Sequence, residues 1–80
     1  MYKIVKWCKT ITDDGKDHIL CKKPKKLNFK FRLLDDDGIV YAYGYSDNGS
    51  SFRPLYDYQN AYGVTEIQYK NPKTGTYEIL

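Results

Sequence analysis

Short runs rich in β-branched and aromatic residues alternate along the chain with clusters of Asp, Asn and Gly. Three such clusters, DDG at 13–15, DDDG at 35–38 and NPKTG at 71–75, recur at hairpin spacing. The pattern predicts strands near 2–12, 17–23, 27–35, 39–46, 64–70 and 75–80. The expected fold class is mainly β, with α+β as its variant: a small antiparallel sheet or barrel of five to six strands built from hairpins.

One segment breaks the pattern. In RPLYDYQNAYG, Pro54 suits a first helical position, Leu55, Tyr58 and Tyr62 recur at three- and four-residue steps, and Gly63 can end a helix. The spacing predicts one short helix near 54–62; the alternative is an irregular loop packed by its own tyrosines.

The stretch KFRLLDDDGIVYAYGY sets three aspartates and a glycine between two apolar runs. Asp35 to Gly38 fit a type I turn followed by a bulge, with Gly38 in the left-handed region. In that register Leu33, Phe31 and Phe29 face Tyr41, Tyr43 and Tyr45, and the apolar side chains gather on one face away from Lys30, Arg32, Ala42 and Gly44. A tighter turn at Asp37-Gly38 slips the pairing by one residue and sets Tyr41, Tyr43 and Tyr45 beside Leu34, Arg32 and Lys30, an aromatic and basic stripe of the kind that stacks nucleobases. The first register separates apolar from polar more cleanly and is the expectation. A metal role for Asp35, Asp36 and Asp37 is disfavoured, because successive turn residues point apart.

An Asp14-Gly15 hairpin turn would set Cys8 across from Cys21, Trp7 across from Lys22 and His18 across from Ile11. Directly opposed cysteines are within disulfide reach, although two cysteines in a cytosolic chain are expected as buried free thiols. His18 lies on the strand face opposite Cys21, so neither a zinc site nor a thiol–base pair assembles. No phosphate-cradling glycine loop or other catalytic motif is present, and the chain reads as non-enzymatic, with no metal or cofactor.

Eighty residues with nine tyrosines, three phenylalanines and Trp7 suffice for a single domain, 1–80, with an aromatic-rich core. No run reaches the roughly 18–20 apolar residues of a membrane span, and the N-terminal segment lacks the apolar centre of a secretion signal, so a cytoplasmic location without membrane contact is expected. The net charge of +3 is unevenly divided. Residues 1–30 hold nine lysines against three aspartates, +6, and residues 31–80 hold four cations against seven carboxylates, −3. Two binding readings follow. In the first, Arg53, Tyr56 and Tyr58, with Lys22, Lys23, Lys25 and Lys26, contact a protein partner, since tyrosine and arginine concentrate interface energy. In the second, Lys22, Lys23, Lys25 and Lys26 neutralise phosphates while Trp7 stacks on a base of a nucleic acid.

FRLLDDDGIVYAYG, SFRPLYDY and YGVTEIQY, ahead of a terminal hairpin, resemble a loose group of small uncharacterised proteins carried by phages and other mobile elements of gut-type bacteria. The resemblance runs from about Phe31 to Leu80, and the lysine-rich start departs from it. Phage proteins of this size are often inhibitors of host defence enzymes, anti-CRISPR proteins among them. The resemblance therefore implies an inhibitor or accessory factor that binds a host protein, such as a nucleic-acid-handling enzyme.

Overall fold

A computed structural model describes residues 1–80. Six strands, β1 (Tyr2–Trp7), β2 (His18–Ile19), β3 (Phe29–Leu34), β4 (Val40–Ser46), β5 (Glu66–Lys70) and β6 (Tyr77–Ile79), form one open sheet in the order β2-β1-β4-β3-β5-β6. Every neighbouring pair is antiparallel. The single helix α1 (Arg53–Tyr62) carries the chain from β4 to β5, which both flank β3. Pro54 occupies its first turn, and the Gly63 amide donates to the Gln59 carbonyl to close it. The helix is where the sequence places it, and the strands are shorter than the sequence suggests, β2 most of all. No helix is long and apolar enough to cross a membrane.

The turn after β3 also forms as its residues predict. Gly38 has φ 80° and its amide donates to the Asp35 carbonyl at 3.1 Å. Asp35 Oδ1 accepts from the Asp37 and Ile39 amides at 2.9 and 3.0 Å, so the first aspartate of the acidic run is its own turn's scaffold.

The strand register differs from the expected one. Leu34 pairs with Val40, but Leu33 pairs with Ala42, and the shift continues through Arg32 with Tyr43, Phe31 with Gly44 and Lys30 with Tyr45. A β-bulge at Tyr41 inserts one residue into β4, and a one-residue slip exchanges the faces of everything beyond it. Tyr41 packs against the core, whereas Tyr43 and Tyr45 stand on the opposite face, in the pairing that the tighter turn would have produced. Packing explains the outcome. The core holds Ile4, Phe31, Leu33, Ala42, Leu55, Val64, Ile67 and Tyr69, with Phe31, Leu33 and Ala42 wholly inaccessible. Beyond the bulge, β4 turns only the small residues Ala42, Gly44 and Ser46 to the core, alongside Leu55 of α1. A Cβ on Gly44 would lie 2.6 Å from the Lys3 carbonyl oxygen and clash with the edge of the Phe31 ring. A tyrosine in that row has no room.

A second bulge has the same effect on β1. Ile4 pairs with Gly44 and Lys6 with Tyr43, leaving Val5 as the extra residue. Strict alternation would turn Lys6 inward with Tyr2 and Ile4; the bulge turns it outward and places Trp7 on the core side. There Trp7 meets Tyr58 (5.5 Å) and Tyr62 (4.8 Å) of α1, and Tyr2 meets Phe31 (6.0 Å) and Tyr58 (6.4 Å). Each such pair contributes roughly 0.5–1.5 kcal/mol beyond its buried area.

The first hairpin is also re-registered. Trp7 pairs with His18 and Lys6 with Ile19, because the chain makes a wide loop over residues 8–17 in place of a two-residue turn. The loop is organised by Asp17, which accepts from the Lys9 amide at 2.7 Å, and by Thr12, which donates to the Lys16 carbonyl at 2.7 Å. Hence Trp7 does not face Lys22, and Cys8 and Cys21 are not opposed. Both thiols are free and half-buried.

Gly44→Ala is expected to destabilise the protein by about 1–3 kcal/mol through overpacking against Phe31, lowering the thermal midpoint by several degrees. Thermal denaturation followed by circular dichroism checks it.

Candidate functional site: a basic, tyrosine-lined sheet face

With α1 on one side of the sheet, the other side is open. Two-residue periodicity and the two bulges bring Lys3 and Lys6 from β1, Tyr43 and Tyr45 from β4, Lys30 and Arg32 from β3, and Lys70 from β5 onto it. Tyr77 of β6 pairs with Lys70 and joins the same face, and Lys23 reaches in from the loop after β2. Lys6, Lys30, Tyr43 and Tyr45 floor an open concavity of about 530 Å³, walled by Ile19, Cys21 and Lys23 on one side and by Lys70 and Tyr77 on the other.

Cations and rings interleave here. Lys30 Nζ lies 5.4 Å from the Tyr43 ring centre and 6.0 Å from that of Tyr45; Lys6 lies 5.5 Å from Tyr43, and Lys23 lies 5.8 Å from Tyr45. The Arg32 guanidinium sits 4.1 Å over Tyr77, which meets Tyr43 edge-on at 6.2 Å. Arg32 is held there because its Nε donates to Gln68 Oε1 at 2.7 Å while the Gln68 amide donates to Glu66. Six cations thus share the face with two carboxylates: Glu66, engaged by Gln68, and Asp17, which pairs with Lys6 at 3.2 Å. The charge of this one face exceeds the net +3 of the whole chain.

The titration behaviour follows from that crowding. Burial, with the neighbouring charges of Lys70 and Lys6, holds the Lys30 ammonium below the usual lysine range. Lys6 is shifted the other way by its hydrogen bond to Asp17. Burial, then the neighbouring Tyr43, pushes the Tyr77 hydroxyl up to about 12. No carboxylate lies within ion-pairing distance of the Lys30 ammonium.

The residues singled out in the sequence are distributed over three places. Lys22, Lys25 and Lys26 are exposed on the loop after β2; Lys23 alone of that cluster joins the open face, its Nζ donating to Asn28 Oδ1 at 3.0 Å. Trp7 lies on the opposite side of the sheet, under α1, so the pairing of Trp7 with the 22–26 lysines does not form. On α1, Tyr58 is packed among Tyr2, Trp7 and Tyr62, whereas Tyr56 is 58 % exposed and stacks on Phe52 at 5.9 Å. Arg53 is exposed beside them and pairs with Asp57 at 3.1 Å. Sequence reasoning missed Lys3, Lys6, Lys70 and Tyr77 as members of a common surface. The slipped register considered for Tyr43, Tyr45, Arg32 and Lys30 was the signal for the rest.

No three or more His, Cys, Asp and Glu side chains converge as metal ligands. No protein-family model, curated protein or solved structure matches the chain.

Because Tyr77 is held neutral by the fold, its contribution to stability is complete below the ordinary tyrosine value of 10.0 and is lost as pH rises from there through about 12. The thermal midpoint is expected to fall over that window, and to fall less steeply in Tyr77→Phe; melting curves collected across the window check both.

Proposed function

We propose that the protein is a non-enzymatic binding module that takes nucleic acid on the open face of its sheet. The observation that carries this reading is the interleaving of four cations, Lys6, Lys23, Lys30 and Arg32, with Tyr43, Tyr45 and Tyr77, on a face where Asp17 and Glu66 are both engaged. A phosphate backbone is a polyanion whose neutralisation releases counterions, and tyrosine faces accept bases of any sequence. The Lys22, Lys25 and Lys26 loop extends the positive surface beyond the concavity. The reading is tested by fluorescence anisotropy with a labelled DNA of about 20 nucleotides, added between about 50 and about 200 mM salt. If about three phosphates are engaged, the affinity drops about twentyfold over that range. Lys30→Ala with Lys70→Ala is expected to weaken binding and flatten the salt dependence. Affinity that ignores salt and both substitutions would sink the assignment.

A second reading has its own observation. Phe52 and Tyr56 form an exposed stacked pair beside Arg53, the residue types that anchor protein interfaces. With the phage-like resemblance of the C-terminal two-thirds, this supports an inhibitor or accessory factor that binds a host protein, such as a defence nuclease. Arg53→Ala with Tyr56→Ala is expected to leave the thermal midpoint nearly unchanged while abolishing capture of such a partner from a nuclease-treated bacterial lysate. Tyr58→Ala, which removes a packed ring, is expected to lower the midpoint. A large fall in the midpoint of the Arg53/Tyr56 pair would make these packing residues.

A further inference from the structure

Charge alone does not distinguish a duplex from a single strand, but the shape of the open face does. We infer that the face takes single-stranded nucleic acid, with an unpaired base lodged in the concavity against Tyr43 and Tyr45 and the adjoining phosphates on Lys30, Lys6 and Lys70. This rests on the reading that the face binds nucleic acid.

Three observations separate the two forms. The first is depth. Lys30, the cation at the centre of the face, is half-buried between two rings, and duplex phosphates, fixed on a convex rod, meet protruding ammoniums more readily than recessed ones. A flexible strand can dip to reach it. The second is lining. Val5, exposed Ile19 and Cys21 wall the concavity next to the lysines; phosphates gain nothing from apolar walls, and a base does.

The third is the present occupancy of the rings. Lysine ammoniums lie 5.4 to 6.0 Å from the centres of Tyr43 and Tyr45, at the ends of flexible four-carbon stems. An incoming strand supplies two exchanges at once. Its phosphates draw the ammoniums off the rings, and its base takes the vacated ring faces. A duplex supplies only the first exchange, because its bases are already stacked on one another.

The decisive experiment titrates the protein with one labelled DNA strand, alone and annealed to its complement, at fixed salt, with inorganic polyphosphate as a competitor that carries charge and no bases. The strand is expected to bind about tenfold tighter than the duplex, and polyphosphate to displace it poorly. Tyr43→Leu, which keeps apolar bulk and removes the ring, is expected to cost the single strand about tenfold and the duplex nothing, within the range for one lost stacking partner. Lys30→Met is expected to weaken both. Equal affinity for strand and duplex, or efficient displacement by polyphosphate, overturns the single-strand inference while the nucleic-acid reading stands. Binding of neither form overturns both. The strand-against-duplex comparison uses the unaltered protein, so it decides the matter even if Tyr43→Leu fails to fold.

Discussion

Everything on the open face depends on one close approach on the other: the Phe31 ring over Gly44. Because only a residue without a side chain fits between that ring and the Lys3 carbonyl, Gly44 must face the core, and Tyr43 and Tyr45 on either side of it must face away. The bulge at Tyr41 is the means by which β4 meets that requirement without disturbing the Asp35–Gly38 turn. Helix α1 completes the core on that side, Leu55 within the buried cluster and Tyr58 against Tyr2 and Trp7 of β1. Core packing and surface chemistry are two sides of one register.

The two bulges divide labour between the aromatics. Tyr2, Trp7, Tyr41, Tyr58 and Tyr69 serve the helix side as core or its margin, while Tyr43, Tyr45 and Tyr77 are placed among cations. Carboxylates accumulate elsewhere, at the Asp35–Asp37 turn, at Asp47 beside the N-terminal amine and at Asp57 on α1. Two of these three acidic groups are already met by a cation, Asp47 by the N-terminal amine and Asp57 by Arg53.

What was legible in the sequence was local. The Asp35–Gly38 turn follows from four consecutive residues, and α1 follows from Pro54, a helical spacing and Gly63. Register was not legible, because it is decided between segments distant in sequence: the Phe31–Gly44 fit selects a bulge that no short motif announces. The same holds at the N-terminal hairpin, where an Asp14-Gly15 pair invites a tight turn but Asp17 and Thr12 organise a wide loop, moving Cys8 away from Cys21 and Trp7 away from Lys22. The lysine cluster at 22–26 was visible as charge, yet Lys23 alone reaches the concavity, while Lys70 and Tyr77 arrive through a helical crossover that places β5 against β3.

The edges of the sheet carry a dynamic consequence. β2 has two residues and β6 three, so each border strand is held by few ladder hydrogen bonds and little buried apolar surface. Segments of this kind open at a small fraction of the global unfolding free energy. Tyr77 and the Ile19–Lys23 wall ride on those borders, whereas Tyr43, Tyr45 and Lys30 sit on the two central strands. The concavity therefore pairs a floor on the central strands with walls on the short border strands, the segments from which local opening starts.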